Sequence, residues 1–111
     1  MSGSLPIVRP ENSSVLLANP YPYVVAFSLS GPYEAYKDFF ALINSCDAWC
    51  NYMPGVWLIL SRLPLPSLSS ALRQKIRTTD RLMVMPAKGP IDGWLPEEGW
   101  TWIGKHIPNL W

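Results

Sequence analysis

The feature that most constrains the fold is an apolar run from Tyr23 to Ser30, YVVAFSLS, which stops abruptly at Gly31-Pro32. A continuous run of β-branched and aromatic residues is typical of a strand that is buried on both faces. Proline suits the first turn of a helix, because its fixed φ is helical and its missing N–H would have no partner there. The run therefore predicts a central strand that leads directly into a helix.

After Pro32 the apolar residues change to helical spacing. They recur every three or four positions with charged residues opposite, which predicts a helix from Tyr33 to about Ser45. Further along, Met53-Pro54-Gly55 separates two β-prone segments at residues 48–52 and 56–61. A turn signal between two such segments predicts a hairpin.

The second half of the chain repeats the pattern of helix followed by strand. The segment LPLP at residues 63–66 is too rich in proline for a helix or a central strand and is expected to be a connector. Ser67 then offers an N-cap to a second helix, whose apolar stripe is Leu68, Ala71, Leu72 and Ile76. Residues 81–85, RLMVM, predict a fourth strand that ends at Pro86.

The last segment allows two interpretations. Pro96 followed by two glutamates favours the start of a short helix, with Trp100 and Ile103 facing inward. The alternative is an edge strand over residues 100–103. Gly99 and Gly104 weaken both interpretations, and the helix is preferred.

The order of the predicted elements is β-α-β-β-α-β. It predicts an α+β, ferredoxin-like fold, with a four-stranded antiparallel sheet, two helices on one face and a short C-terminal helix. A chain of 111 residues is long enough for one such domain. We expect residues 1–20, rich in Ser, Pro and Asn, to form a flexible or loosely docked arm, and residues 21–111 to form the domain with an aromatic C-terminal segment at 91–111.

The second face of the sheet needs a cover, because two helices protect only one face. Six tryptophans and a charged fraction of only 15% favour burial of that face over hydration. A second copy of the chain, packed sheet to sheet or edge to edge, is the simplest cover, and a C-terminal segment folded across the face is the alternative. The candidate interaction residues are Trp49, Trp57, Trp94, Trp100 and Trp102.

Charge and cysteine content limit the partners and the cofactors. A formal net charge of +1 provides no strong field for nucleic acid or an anionic membrane, and no secretory signal or membrane-spanning stretch is apparent. We expect Cys46 and Cys50 to be free thiols of a cytoplasmic protein, since a disulfide across three residues would close a tight, strained loop. His106 is the only other soft ligand, so no metal site or cofactor is expected.

Catalytic and nucleic-acid-binding patterns are weak. A nucleophile at Ser28 or Ser30 would need a base, and the single histidine, His106, is better explained as a cation near a helix C-terminus. Residues 73–81 carry four cations, as phosphate contacts need, although such a group is also ordinary for a solvated helix face. Three of the four are the possible nucleic-acid contacts. They are Arg73, Arg77 and Arg81.

Four segments carry a resemblance to a known family: YVVAFSLSGPYEAY, GVWLIL, LSSALRQKI and DRLMVM. In that order and at that spacing, residues 23–85 resemble the small Cas2-like proteins, including those called SinR-like or VapD-like. The resemblance implies a ferredoxin-like fold, a homodimer and a bacterial source. It also implies a metal-dependent nuclease of the toxin–antitoxin or CRISPR-associated type, in which an aspartate at the end of the first strand holds the metal.

The residue at the matching position here is Ser28, and a neutral hydroxyl is a poor ligand for a hard dication. We therefore expect a nuclease-inactive relative that is a non-catalytic protein-interaction module, homodimeric or docked on a partner. The alternative is a nucleic-acid-binding protein or a metal-dependent endoribonuclease. Small-molecule binding on the open sheet face remains a third hypothesis.

Overall fold

The apolar run forms β1 (Tyr21–Ser28), an inner strand of a four-stranded antiparallel sheet. The structure is a computed structural model and describes residues 15–107, so most of the expected N-terminal arm and the last four residues of the C-terminal segment lie outside the described residues. The elements after β1 are a 3-10 turn (Tyr33–Tyr36), α1 (Lys37–Asn44), β2 (Ala48–Met53), β3 (Val56–Ser61), α2 (Leu65–Arg73), β4 (Arg81–Pro86) and α3 (Glu97–His106).

The strand order is β2-β3-β1-β4, with every neighbouring pair antiparallel. Val24 at the middle of β1 lies opposite Leu58 of β3 and Met85 of β4. The predicted α+β class, the four-stranded antiparallel sheet and the C-terminal helix are confirmed. The last segment is a helix and not an edge strand.

The main core lies between one face of the sheet and α1 and α2. It contains inward side chains of β1 and β3 and apolar side chains of the 3-10 turn and both helices, and its eight buried members are each at most 3% exposed. Burial of whole aromatic and aliphatic side chains is the principal stabilising term in such a core. The buried residues are Tyr23, Val25, Tyr36, Phe39, Ile43, Ile59, Leu68 and Leu72.

A smaller cluster lies on the opposite face of the sheet. Ala87, Ile103 and Ile107 are buried there and pack with Val24 and Leu58, whose side chains alternate with those of the main core. The C-terminal segment therefore folds across this face. It is one of the two covers that the sequence leads us to expect. Part of the face stays open beside it.

The second helix begins earlier than the sequence predicts. α2 starts at Leu65 with Pro64 at its N-cap, and Ser67 is buried inside the helix, so the predicted Ser67 cap is wrong. The prolines of the supposed connector are tolerated because the amides of a first helical turn have no intrahelical acceptor. The helix also ends at Arg73, so Ile76 packs against the core from beyond it.

Candidate functional sites

The end of β1 separates Ser28 and Ser30, the two serines considered as nucleophiles. Ser28 is exposed and lies opposite Arg81 of β4. Ser30 is beyond the strand, which ends two residues earlier than predicted, and its hydroxyl lies 2.8 Å from both the Asp80 carboxylate and the Thr79 hydroxyl. The Ser30 hydroxyl is thus held in a structural hydrogen-bond network.

Asp80 is the centre of that network and is only 6% exposed. Its Oδ1 accepts hydrogen bonds from the Ser30 amide (2.6 Å), the Ser30 hydroxyl (2.8 Å) and the Tyr36 hydroxyl (3.0 Å), and its Oδ2 accepts one from the Arg77 amide (2.8 Å). Burial alone would raise the pKa of Asp80, but these donors outweigh it and hold the pKa at about 2. Asp80 is therefore an ionised structural acceptor at neutral pH.

Tyr36 and Arg77 extend the network to the loop after β1. The Tyr36 hydroxyl also accepts the Gly31 amide at 3.0 Å, and the Arg77 guanidinium lies 5.6 Å from the centre of the Tyr36 ring. A Cβ at Gly31 would lie 2.6 Å from that guanidinium, so only glycine fits there without displacing the arginine. Asp80 and Tyr36 are not among the site residues predicted from the sequence, although an aspartate that follows two threonines and precedes a strand is a signal for such a role.

The three arginines proposed as nucleic-acid contacts line one open cavity. Arg73, Arg77 and Arg81 lie around a volume of about 430 Å³ between the end of α2 and the start of β4. Among residues 15–107, the one ion pair joins Arg62 to Asp47 at 3.4 Å, so none of the three is paired with a carboxylate. Asp80 also borders the cavity, but its carboxylate is engaged by the donors described above.

A groove of about 530 Å³ lies on the second face of the sheet. Its walls are the open part of the sheet, with Val56 and Met85, and the segment before α3, with Trp94 and Leu95. Trp94 is 98% exposed, and it is the most exposed large apolar side chain in the described part of the chain. This combination leaves part of the apolar wall of the groove exposed.

The five tryptophans proposed as interaction residues do not form one surface. Trp49 and Trp57 contact each other, with ring centres 5.1 Å apart, on the face that carries α1 and α2. Trp100 and Trp102 are half-buried on the opposite face, around α3. Of these five, only Trp94 is fully open to solvent. Three exposed methionines that were not predicted as interaction residues lie on the same face as Trp94: Met53, Met83 and Met85.

The thiols and the histidine are placed in structural roles. Burial raises the pKa of both Cys46 and Cys50 to about 11, so neither is a thiolate at neutral pH, and both are free in the structure. His106 Nδ1 donates to the Trp102 carbonyl at 2.9 Å, and its ring lies 4.3 Å from the Trp102 ring. These contacts tie His106 to the last turn of α3.

The described residues contain neither a metal-binding cluster nor a membrane-spanning helix. No group of three or more His, Cys, Asp or Glu side chains within residues 15–107 is placed to hold a metal ion. Over the same residues, no helix combines the length and apolar character that crossing a membrane requires. Comparison of the chain with protein-family models, with curated proteins and with solved structures finds no match.

Proposed function

We propose that this protein is a non-catalytic protein-interaction module with a ferredoxin-like, Cas2-like fold, and that its simplest partner is a second copy of itself. The observation that carries the proposal is the apolar surface left open on the second sheet face, where Trp94 is 98% and Met83 58% exposed. Contiguous exposed apolar surface on a small protein commonly marks an interaction site. A bacterial, cytoplasmic protein is part of the same proposal.

Two features support this fold and the absence of nuclease chemistry. The observed order of elements and the antiparallel sheet are consistent with a ferredoxin-like arrangement. At the end of β1, the exposed side chain is that of Ser28, which ends in a hydroxyl. The nearby Asp80 carboxylate already accepts four hydrogen bonds. Neither group is suited to hold a divalent cation for phosphodiester hydrolysis.

Size-exclusion chromatography with light scattering tests the proposal. We expect a mass near twice the 12.5 kDa of the chain at high protein concentration, with dissociation on dilution. A mass of one chain at every concentration would contradict self-association. Cleavage of labelled RNA or double-stranded DNA that needs magnesium or manganese and stops with EDTA would contradict the non-catalytic assignment.

The arginine-lined cavity favours a second candidate, a nucleic-acid-binding protein. Three arginines around one volume, none of them in an ion pair among residues 15–107, suit phosphate groups, which dominate the affinity of nucleic-acid complexes. Binding of labelled RNA should then weaken with salt, and Arg73→Ala should reduce the salt dependence by about one counterion. Lys105→Ala, which removes an exposed cation from α3, is the matched control and should leave binding unchanged.

A further inference from the structure

Within residues 15–107, one edge of the sheet has no neighbouring strand. β4 is the terminal strand, and no other strand among residues 15–107 pairs with its outer side. The Ala87 amide donates to the Pro22 carbonyl at 2.9 Å, and the alternation of an antiparallel ladder then fixes the direction of every other peptide group in β4. Leu82, Val84 and Pro86 direct their main-chain groups away from β1.

The same alternation can be checked on the other side of β1. The Phe27 amide donates to the Gly55 carbonyl at 2.8 Å. The main-chain N–H and C=O groups of odd-numbered β1 residues therefore point towards β3, and those of even-numbered residues point towards β4. Leu82 and Val84 therefore each direct an amide and a carbonyl away from β1, and Pro86 directs a carbonyl alone. Unpaired strand edges of this kind are templates for another strand.

The two edges of the sheet differ in their protection. The opposite edge, β2, is interrupted by an irregularity between Cys50 and Met53, and its Tyr52 ring lies against Gly99 of α3, 3.2 Å from the position of a Cβ there. β4 pairs without interruption, and its one charged residue, Arg81, stands at its first position. Natural edge strands are usually guarded by bulges, internal charges or proline, and β4 has proline only at its last position.

The side chains of β4 are also suited to a contact. Met83 is 58% and Met85 38% exposed, and both lie on the face of the groove. Methionine is unbranched and adapts to varied surroundings, so paired methionines can fill an interface without a fixed shape. Leu82 and Val84 are half-buried on the other face, beside the main core.

We propose that β4 pairs antiparallel with β4 of a second copy, about a two-fold axis close to Met83, so that two four-stranded sheets become one continuous sheet. The inference rests on the proposed self-association and names its surface. An antiparallel strand is complementary to itself about a two-fold axis, which singles out a second copy as the occupant. With Leu82 opposite the partner's Val84, each outward amide meets a carbonyl.

The same pairing is favourable for the charges and for proline. Arg81 lies opposite the partner's Met85, so the two arginines stand at opposite ends of the paired strands and not against each other. Pro86, which has no N–H, falls outside the pairs that need an amide donor.

Met83→Lys is the variant that tests this surface. It places two ammonium groups face to face at the axis, and because Met83 is more than half exposed, the fold of the monomer should be unchanged by circular dichroism and thermal melting. We expect the dimer dissociation constant to rise at least about tenfold. Met53→Lys, at a similarly exposed methionine on β2, is the matched control and should remain dimeric.

Amide exchange followed by NMR gives an independent result. The amides of Leu82 and Val84 have no backbone acceptor among residues 15–107, so we expect them to be protected in the dimer and to exchange freely after dilution or in Met83→Lys. The amides of Met83 and Met85 are bonded to β1 and should stay protected in both states.

The outcomes separate this inference from the proposed function. A dimer that survives Met83→Lys with exchanging Leu82 and Val84 amides would overturn β4 pairing and leave the interaction module intact. Loss of that dimer in Trp94→Ser would then place the contact in the groove. A monomer at all concentrations would overturn both proposals, and protected Leu82 and Val84 amides in a monomer would show that the chain itself covers the edge.

Discussion

At the scale of single residues, the carboxylate of Asp80 connects three segments: the loop after β1, the 3-10 turn and the segment before β4. The carboxylate therefore holds the 3-10 turn and the loop to the segment before β4, at the end of the paired strands β1 and β4. The carboxylate also accepts from the Ser30 amide, the Arg77 amide and the Tyr36 hydroxyl, which would otherwise lose this acceptor. Loss of the charge is therefore expected to loosen this end of the domain.

Asp80→Asn tests this role because it preserves the shape of the side chain and replaces one acceptor by a donor. The Arg77 amide or the Ser30 group then loses its acceptor, and we expect the thermal midpoint to fall by about 5 °C or more. Asp38→Asn, at an exposed aspartate on α1, is the control and should change the midpoint little. Equal midpoints for the two variants would show that the network contributes nothing to stability.

The pH dependence of stability follows from the same carboxylate. Its pKa is about 2 in the folded protein, below the usual value of about 3.9 expected in the unfolded chain. A lowered pKa means that the stabilisation is complete above about pH 4 and is lost as the pH falls towards 2. Urea unfolding across this window should show a steeper loss of stability for the natural protein than for Asp80→Asn, and parallel curves would contradict the assignment.

At the scale of elements, the hairpin between β2 and β3 depends on Gly55. Its φ of +73° lies in the left-handed region, and a Cβ there would be 2.6 Å from the Phe27 carbonyl oxygen. The close approach exists because the Phe27 amide donates to the Gly55 carbonyl, which joins the turn to β1. The Asn51 side chain closes the same turn by donating to the Met53 and Val56 carbonyls at 2.7 and 2.8 Å.

Gly55→Ala should therefore destabilise the protein by about 2 kcal/mol or more, from backbone strain and the contact with Phe27. Gly104→Ala is the matched control, because Gly104 lies inside α3 with no atom within 4 Å of an added Cβ. It should stabilise the protein by about 0.5–1 kcal/mol. Chemical denaturation measures both, and a neutral Gly55→Ala would contradict the strained turn.

The elements also show which parts of the fold the sequence could predict. The central strand, the hairpin and the C-terminal helix follow from local patterns, namely a continuous apolar run, Met-Pro-Gly between β-prone segments, and Pro96 before two glutamates. The start of α2 does not follow from a local pattern. Proline usually indicates the absence of a helix, but the first helical turn accepts it, so Leu65 and Pro66 are helical here. The Asp80 network joins residues 44 to 50 positions apart in the chain, which no local pattern encodes.

At the scale of the whole molecule, one sheet separates two hydrophobic clusters of unequal size. The cluster under α1 and α2 contains eight buried residues, whereas the one under α3 contains three, Ala87, Ile103 and Ile107. Local opening costs least where few apolar contacts hold an element in place. The amides of α3 should consequently exchange with solvent through openings of lower free energy than those that expose β1.

Ile103→Ala tests whether the two clusters are energetically separate. Ile103 is 1% exposed, so its truncation should cost about 2–4 kcal/mol in the smaller cluster. If α3 opens as its own unit, hydrogen exchange in α3 will accelerate strongly while that of β1, measured under strongly native conditions, changes less. Thr101→Ala, at an exposed position of the same helix, controls for effects on helix propensity. An equal loss of protection in α3 and β1 would instead show that both faces of the sheet unfold as one cooperative unit, with α3 as much a part of the core as α1 and α2.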